Sequence, residues 1–139
     1  MKVSVITPNY NGEKFLESFF TSLKIEKEFI EEIILIDNGS HDNSIELIQK
    51  IASSSDLNIK LIKNTKNLGF SKAVNQGIEI AKSEYVYLLN NDTEIVKGTI
   101  FNLIDFIKDK MNIFSLSSKM IQMDNKELID DAGDEYTLL

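Results

Sequence analysis

The strongest constraint on the fold is an alternation. Between Lys2 and Lys110 the chain switches four times from a short β-branched run to a segment of helical spacing. "KVSVIT" (Lys2–Thr7) reads as a strand that Pro8 stops, because proline lacks the N–H a ladder needs. "EKFLESFFTSLKIE" places Phe15, Leu16, Phe19, Phe20 and Leu23 on one helical face. "EEIILID" is a continuous apolar run, the pattern of a strand buried on both faces. "GSHDNSIELIQKIA" restarts helical spacing, with Ser40 as the expected N-cap and Asp42 in the first turn. "LNIKLIKN" reads as a strand with a more exposed face, and "SKAVNQGIEIAK" as a helix packing through Ala73, Val74, Gly77, Ile78 and Ala81. "EYVYLL" and "KGTIFNLIDFIKDK" repeat the pair, and "IFSLSS" (Ile113–Ser118) is expected to be a fifth strand. Strands alternating with helices predict an α/β fold: a doubly wound, mostly parallel sheet with helices on both faces.

A chain of 139 residues suffices for one core, so residues 1–139 are expected to form a single domain. Cysteine is absent, which excludes disulfides, thiolate nucleophiles and Cys-zinc sites. A single histidine, His41, excludes multi-histidine metal centres. The net charge of −7 argues against nucleic acid as a partner. No apolar stretch reaches membrane-spanning length, and the N-terminus lacks secretory-signal features. The expected location is cytoplasmic, or peripheral to the inner face of the membrane through a part outside this chain. The tail from Gln122 onward is polar and acidic, unlike the end of a finished sheet, so a longer parent protein is expected.

Ligands of such sheets bind at the carboxyl ends of the strands. The four segments there are "TPNYNG", "DNGSHDNS", "NTKNLGFSKAVNQG" and "NNDTE". Each is rich in Asn, Asp, Gly, Ser or Thr, as turns are. Four of them converging on one rim suggest a binding site. Neither a Walker loop nor a GxGxxG follows the first strand, which disfavours a P-loop or dinucleotide site. Thr7 and Pro8 instead suggest a stiff slot for a flat group.

"VSVITPNYN", "ILIDNGSHDNS", "NLGFSKAVNQGI" and "YVYLLNNDTE" together resemble the successive signatures of inverting family 2 glycosyltransferases of the GT-A fold. "LLNNDT" is similar to the rhamnosyltransferase-like branch. The resemblance covers nearly the whole chain, but only the nucleotide-sugar-binding part of the family's catalytic domain. It implies a role in cell-surface polysaccharide synthesis. It also implies a nucleoside-diphosphate sugar donor (UDP-, dTDP- or GDP-linked) and a saccharide or lipid-linked acceptor. The "NNDT" form leans towards thymidine-diphosphate-rhamnose.

The resemblance places Tyr10 against the nucleotide base. Asp37, at the end of the second strand, would accept the N3–H of uracil or thymine, or the N1–H of guanine; cytosine has no such donor. Asn67 and Gly69 mark the turn after the third strand. Asn75 is expected near the ribose or diphosphate, and Asn91 near the nucleotide. Many relatives carry Arg where this chain has Val74. Gly77, inside a helix, costs about 1 kcal/mol relative to Ala and so signals a close approach, either to the sheet or to a ligand. Relatives often have Asp-x-Asp at Asn90-Asn91-Asp92, holding a divalent cation. Asp92 and Asn90 are therefore the expected ligands of Mg2+ or Mn2+. The family's catalytic base lies further downstream. Asp130, Asp131, Asp134 and Glu135 come too early to match it and are read as a loop.

Three rivals remain. A phosphate-accepting receiver would need an acidic pair after the first strand, and none is there. A nucleotidyltransferase would need a Gly-rich, basic phosphate loop near the N-terminus, where "TPNYNGEKF" offers one Gly and one Lys. The third is a non-catalytic nucleotide-sugar-binding module.

Overall fold

A computed structural model describes residues 1–110 and 112–131. It divides into two compact units, Met1–Gly98 and Thr99–Leu139.

The first unit holds strands β1 (Val3–Asn9), β2 (Ile30–Asp37), β3 (Ile59–Lys63) and β4 (Tyr85–Leu88). Between them run helices α1 (Glu13–Lys24), α2 (Ser44–Ser54) and α3 (Phe70–Ile80). The sheet is parallel throughout, in the order β3-β2-β1-β4. β1 and β2 are central, which is why β2 carries an almost unbroken apolar run. β3, at the edge, is partly exposed along most of its length, as its lysines suggest.

Side-chain alternation divides the core in two. Ile6, Ile34 and Ile36 meet Ala73 of α3 on one face. Val5, Ile33 and Leu35 point to the other, where α1 supplies the fully buried Leu16, Phe19 and Leu23 and α2 supplies Ile48. The close approach signalled by Gly77 is to the sheet: a Cβ there would lie 2.6 Å from Ile6 Cγ2 and 3.0 Å from Ile36 Cδ1.

Two local expectations are corrected in this unit. Pro8 does not stop the first strand; β1 continues through Asn9, with Pro8 opposite Ile36. In a parallel ladder, successive residues direct their N–H and C=O to opposite neighbours. Ile6 O accepts from Leu89 N on the β4 side, and Asn9 O accepts from Asn38 N on the β2 side. Pro8 therefore faces β4, which has already ended opposite Ile6, and its missing N–H breaks no ladder bond. The chain turns instead at Asn11, which adopts a left-handed φ of 49°. Ser40 is not the cap of α2, which begins at Ser44; Ser40 is engaged by Asp37.

The second unit contains α4 (Thr99–Ile107), which buries Ile100, Ile104 and Ile107 along one stripe. The expected strand Ile113–Ser118 is not formed. The described backbone there is not extended into a strand, and Phe114 and Leu116 are exposed. A short antiparallel ribbon follows, β5 (Met120–Ile121) with β6 (Ile129–Asp131). Asp130 and Asp131 thus lie on a strand rather than in a loop, whereas Asp134 and Glu135 fall outside the described residues.

Candidate functional site

The strand order reverses between β1 and β4: the chain winds outward through β2 and β3, then returns to the far side of β1. Connections leave a crevice at such a point, outside the carboxyl ends of the strands. Asn9, the last residue of β1, occupies that position and is 1% exposed. Its Nδ2 donates to Asp37 Oδ2 at 2.9 Å and to Ser40 Oγ at 3.2 Å. Its Oδ1 accepts from Asn91 Nδ2 at 2.6 Å. One amide therefore joins the ends of β2 and β1 to the turn after β4. Gly12 makes this possible: a Cβ there would fall 2.0 Å from Asn91 Nδ2 and 2.3 Å from Asn9 Oδ1.

Asp37 is fully buried. Besides Asn9, it accepts from Ser40 N at 3.0 Å and Ser40 Oγ at 2.6 Å. Ser40 Oγ in turn accepts from the N–H of Asn11 at 2.9 Å, which ties the Tyr10 loop to the β2 loop. Tyr10 itself is 47% exposed on that loop.

A second amide network lies beside the first. Asn38 Oδ1 accepts from Leu68 N and Asn64 Nδ2, and Asn38 Nδ2 donates to Asn67 Oδ1 at 2.9 Å and to Gly69 O at 3.3 Å. Asn64 and Gln76 exchange a reciprocal pair of bonds, at 2.8 and 3.0 Å, which anchors the start of this loop to α3. Gly69 has φ 88° and ψ 160°, a conformation essentially closed to other residues, and faces open space. Asn67 and Gly69 are thus held at the rim by Asn38. Asn75 is exposed on α3; Lys72 is a solvent-facing helix lysine, and Val74 is buried.

The loops are also tied below the rim. Asp42 Oδ2 accepts from Glu13 N at 3.0 Å, at the start of α1, while the Glu13 carboxylate accepts from Asn43 N and Nδ2, at the start of α2. Each acid satisfies the other helix's free N–H groups and meets its positive end. Burial alone would raise the Asp42 carboxyl; hydrogen bonds from Ser44 and the Glu13 N–H outweigh it and hold it below the usual carboxylate range.

The remaining predicted residues occupy the same edge. Thr7 is buried in β1 with its Oγ1 unpartnered, and Pro8 is half-buried beside it. In the turn after β4, Asn90 O accepts from Thr93 N at 3.2 Å and Thr93 Oγ1 at 2.6 Å, while the Asn90 and Asp92 side chains face solvent. Among the described residues no group of three or more His, Asp or Glu could hold a metal. The donor set here is one carboxylate and one amide oxygen. That fits a hard dication that takes its other ligands from water and phosphate, as Mg2+ does, and not an all-protein cage.

The structure thus brings Asp37 and Asn91 together through Asn9, and Asn67 and Gly69 together through Asn38. Asn9 and Asn38 are missing from the sequence reading of the site. In "TPNYN" the signal for Asn9 was present: a polar residue at a strand end beside the switch point.

The model of glycosyl transferase family 2 matches residues 4–131. The chain belongs to that family. Among its relatives, a dolichol-phosphate mannosyltransferase of Pyrococcus furiosus is 33% identical over 114 residues, covering 81% of this chain and 32% of the relative. An uncharacterised glycosyltransferase of Haemophilus influenzae is 34% identical over 105 residues, covering 76% and 42%. This family 2 chain therefore spans a third to two-fifths of the length of those relatives. Staphylococcus aureus TarS 1–349, solved in complex with UDP-GlcNAc, superposes with a TM-score of 0.70 at 26% identity, covering 88% of this chain and 38% of TarS. The mannosyltransferase PcManGT from Pyrobaculum calidifontis, solved with GDP-Man and Mn2+, shares the fold at a TM-score of 0.72 and 23% identity, covering 78% and 33%. The α/β, mostly parallel architecture expected from the sequence is the one these enzymes share.

Proposed function

We propose that this chain is the donor-binding part of a glycosyltransferase that moves a sugar from a nucleoside diphosphate to a saccharide or lipid-linked acceptor, with inversion. The observation that supports it most is the Asn9 bridge, which unites the β2 carboxylate and the Asn90–Asp92 turn on one rim at the switch point. TarS, a relative with a bound UDP-sugar, supports the nucleotide class.

In this reading Tyr10 stacks on the base and Asp37 accepts its imino N–H. Asn9 and Ser40 place two donors on Asp37 Oδ2 and one on Oδ1, so the remaining acceptor position of Oδ1 is the one left for the base. Asn67, Gly69, Asn75 and Asn91 line the path of the ribose and diphosphate. Asp92 and Asn90 would hold Mg2+ or Mn2+, whose charge offsets repulsion between carboxylate and phosphate. That repulsion is about 4 kcal/mol for unit charges 4 Å apart at an effective dielectric of 20. The acceptor oxygen bonds to the anomeric carbon from the face opposite the departing diphosphate, which leaves with the bonding electron pair. The acceptor's proton goes to a base that lies in the part of the relatives this chain does not span.

Residues 1–139 then form the N-terminal part of a larger catalytic domain in the cytoplasm, serving cell-surface polysaccharide synthesis. Among the described residues no helix is long and apolar enough to cross a membrane. The rhamnose donor rests on the "LLNNDT" similarity alone.

Thermal shift with UDP, dTDP, GDP and CDP, with and without Mn2+, tests this reading. Stabilisation by a base bearing an imino N–H, dependent on Mn2+ and lost in Asp92→Ala, is expected. Equal stabilisation by CDP, or indifference to Mn2+, overturns it.

A further inference from the structure

Asn9 sits between a group that can only accept hydrogen bonds and one that can do either. An amide's two ends are told apart by their partners, and here a carboxylate decides. Asp37 Oδ2 accepts, so Asn9 must turn Nδ2 towards it, at 2.9 Å. Asn9 Oδ1 then faces Asn91, which must answer with its own Nδ2, at 2.6 Å. The polarity set by one buried carboxylate passes through two amides. It leaves the Asn91 carbonyl oxygen on the side away from Asn9, one residue before Asp92.

We propose that Asn9 is a positioning residue. It relays the polarity of Asp37 to Asn91, so that position 91 offers the rim an oxygen acceptor and not an N–H donor. Such an oxygen suits a hard cation that accompanies a diphosphate, and repels bare phosphate. Asn9 touches no ligand in this scheme and acts only through Asp37 and Asn91. Both amides lie directly over Gly12, in the space a Cβ there would occupy. The proposal rests on the donor-binding reading above, but the relay itself can be tested without any ligand.

The relay makes an unusual prediction about Asn91→Asp. By composition alone, a second acid beside Asp92 should strengthen cation binding. By the relay, two acceptors would face each other across 2.6 Å, and turning Asn9 over would set its oxygen against Asp37. Asn91→Asp should therefore destabilise the fold. Adding Asp37→Asn reverses every polarity in the chain of bonds: the new amide at 37 donates to Asn9, whose nitrogen donates to the new carboxylate at 91. A double-mutant cycle in urea at pH 7, without ligand, reads this directly. The double variant should regain at least half of the summed midpoint loss of the two singles. Additive losses refute the relay.

The positioning role is read separately, by titrating Asn9→Ala with UDP–Mn2+ and with uridine, which lacks the diphosphate. UDP–Mn2+ affinity should fall about tenfold, and uridine affinity by a clearly smaller factor, because only the diphosphate and its cation meet position 91. Equal weakening of both refutes a positioning role and leaves only a structural one. If the wild-type chain binds neither, the donor-site reading fails and the positioning role with it, while the urea cycle still decides whether the polarity relay exists.

Discussion

Glu32 is a second fully buried carboxylate of β2, near the opposite end of that strand from Asp37, and its work is structural. It pairs with Lys60 Nζ on β3 at 2.6 Å, accepts from Ser4 Oγ on β1 at 3.1 Å, and accepts from Lys82 N at 2.8 Å. Ser4 Oγ also accepts from Ser83 N, so the chain entering β4 is pinned to the sheet before the strand begins. Burial pushes the Glu32 carboxyl up, but Lys60, the Lys82 N–H and Ser4 outweigh it and hold it below its ordinary 4.5. A depressed carboxyl contributes stability in full above the unfolded-state value. As pH falls past about 4.5 the unfolded chain takes up the proton first, and the contribution is lost down through the folded-state value. Glu32→Gln keeps the shape and removes the charge, so it should cost about 1–3 kcal/mol at pH 7. Urea midpoints of wild type and variant should converge as pH falls below about 4.5. A constant offset across that range would show that the ion pair contributes nothing.

Among the elements, α3 shows how a sheet and a helix are brought to closest approach. Gly77 sits over β1 and β2, and its missing side chain is the reason the helix reaches Ile6 and Ile36. Two effects compete in Gly77→Ala. Helix propensity favours the alanine by about 1 kcal/mol. Against that, the new methyl lands 2.6 Å from Ile6 Cγ2, a branch held stiffly at Cβ in the centre of the sheet. Overpacking of this kind costs about 1–3 kcal/mol, so the variant should be less stable by up to about 2 kcal/mol in urea unfolding. A stabilised variant would mean that α3 rides further from the sheet. The same element shows what sequence reasoning reads well. The eleven residues of α3 and the buried run of β2 follow from periodicity, because burial imposes it. Pro8 misled because a proline's effect depends on which neighbour its nitrogen faces, and that is a property of strand order. Ile113–Ser118 misled because apolar alternation describes a face and not a ladder partner. At the site, acids and glycines stood out by type, whereas Asn9 and Asn38 matter by where their amides meet, 26 or more residues from their partners.

Among the described strands, the outermost two, β3 and β4, differ in the side chains they show to solvent. β3 carries Lys60 and Lys63, charges that discourage another strand from adding on. β4 reads Tyr85-Val86-Tyr87-Leu88 with no charge, and Val86 and Leu88 are 43% and 45% exposed. Ile78 and Ile80 of α3 add further exposed apolar surface. Exposed apolar side chains on neighbouring elements favour association, so this 139-residue chain should self-associate as its concentration rises, despite a net charge of −7. Val86→Lys gives β4 the protection β3 already has. It replaces an exposed side chain, so it should change stability by no more than about 0.5 kcal/mol. Light scattering over a concentration series should show association falling in Val86→Lys and unchanged in Lys63→Arg, which keeps the charge on the other edge. Equal association in both variants would place the sticking surface elsewhere than β4.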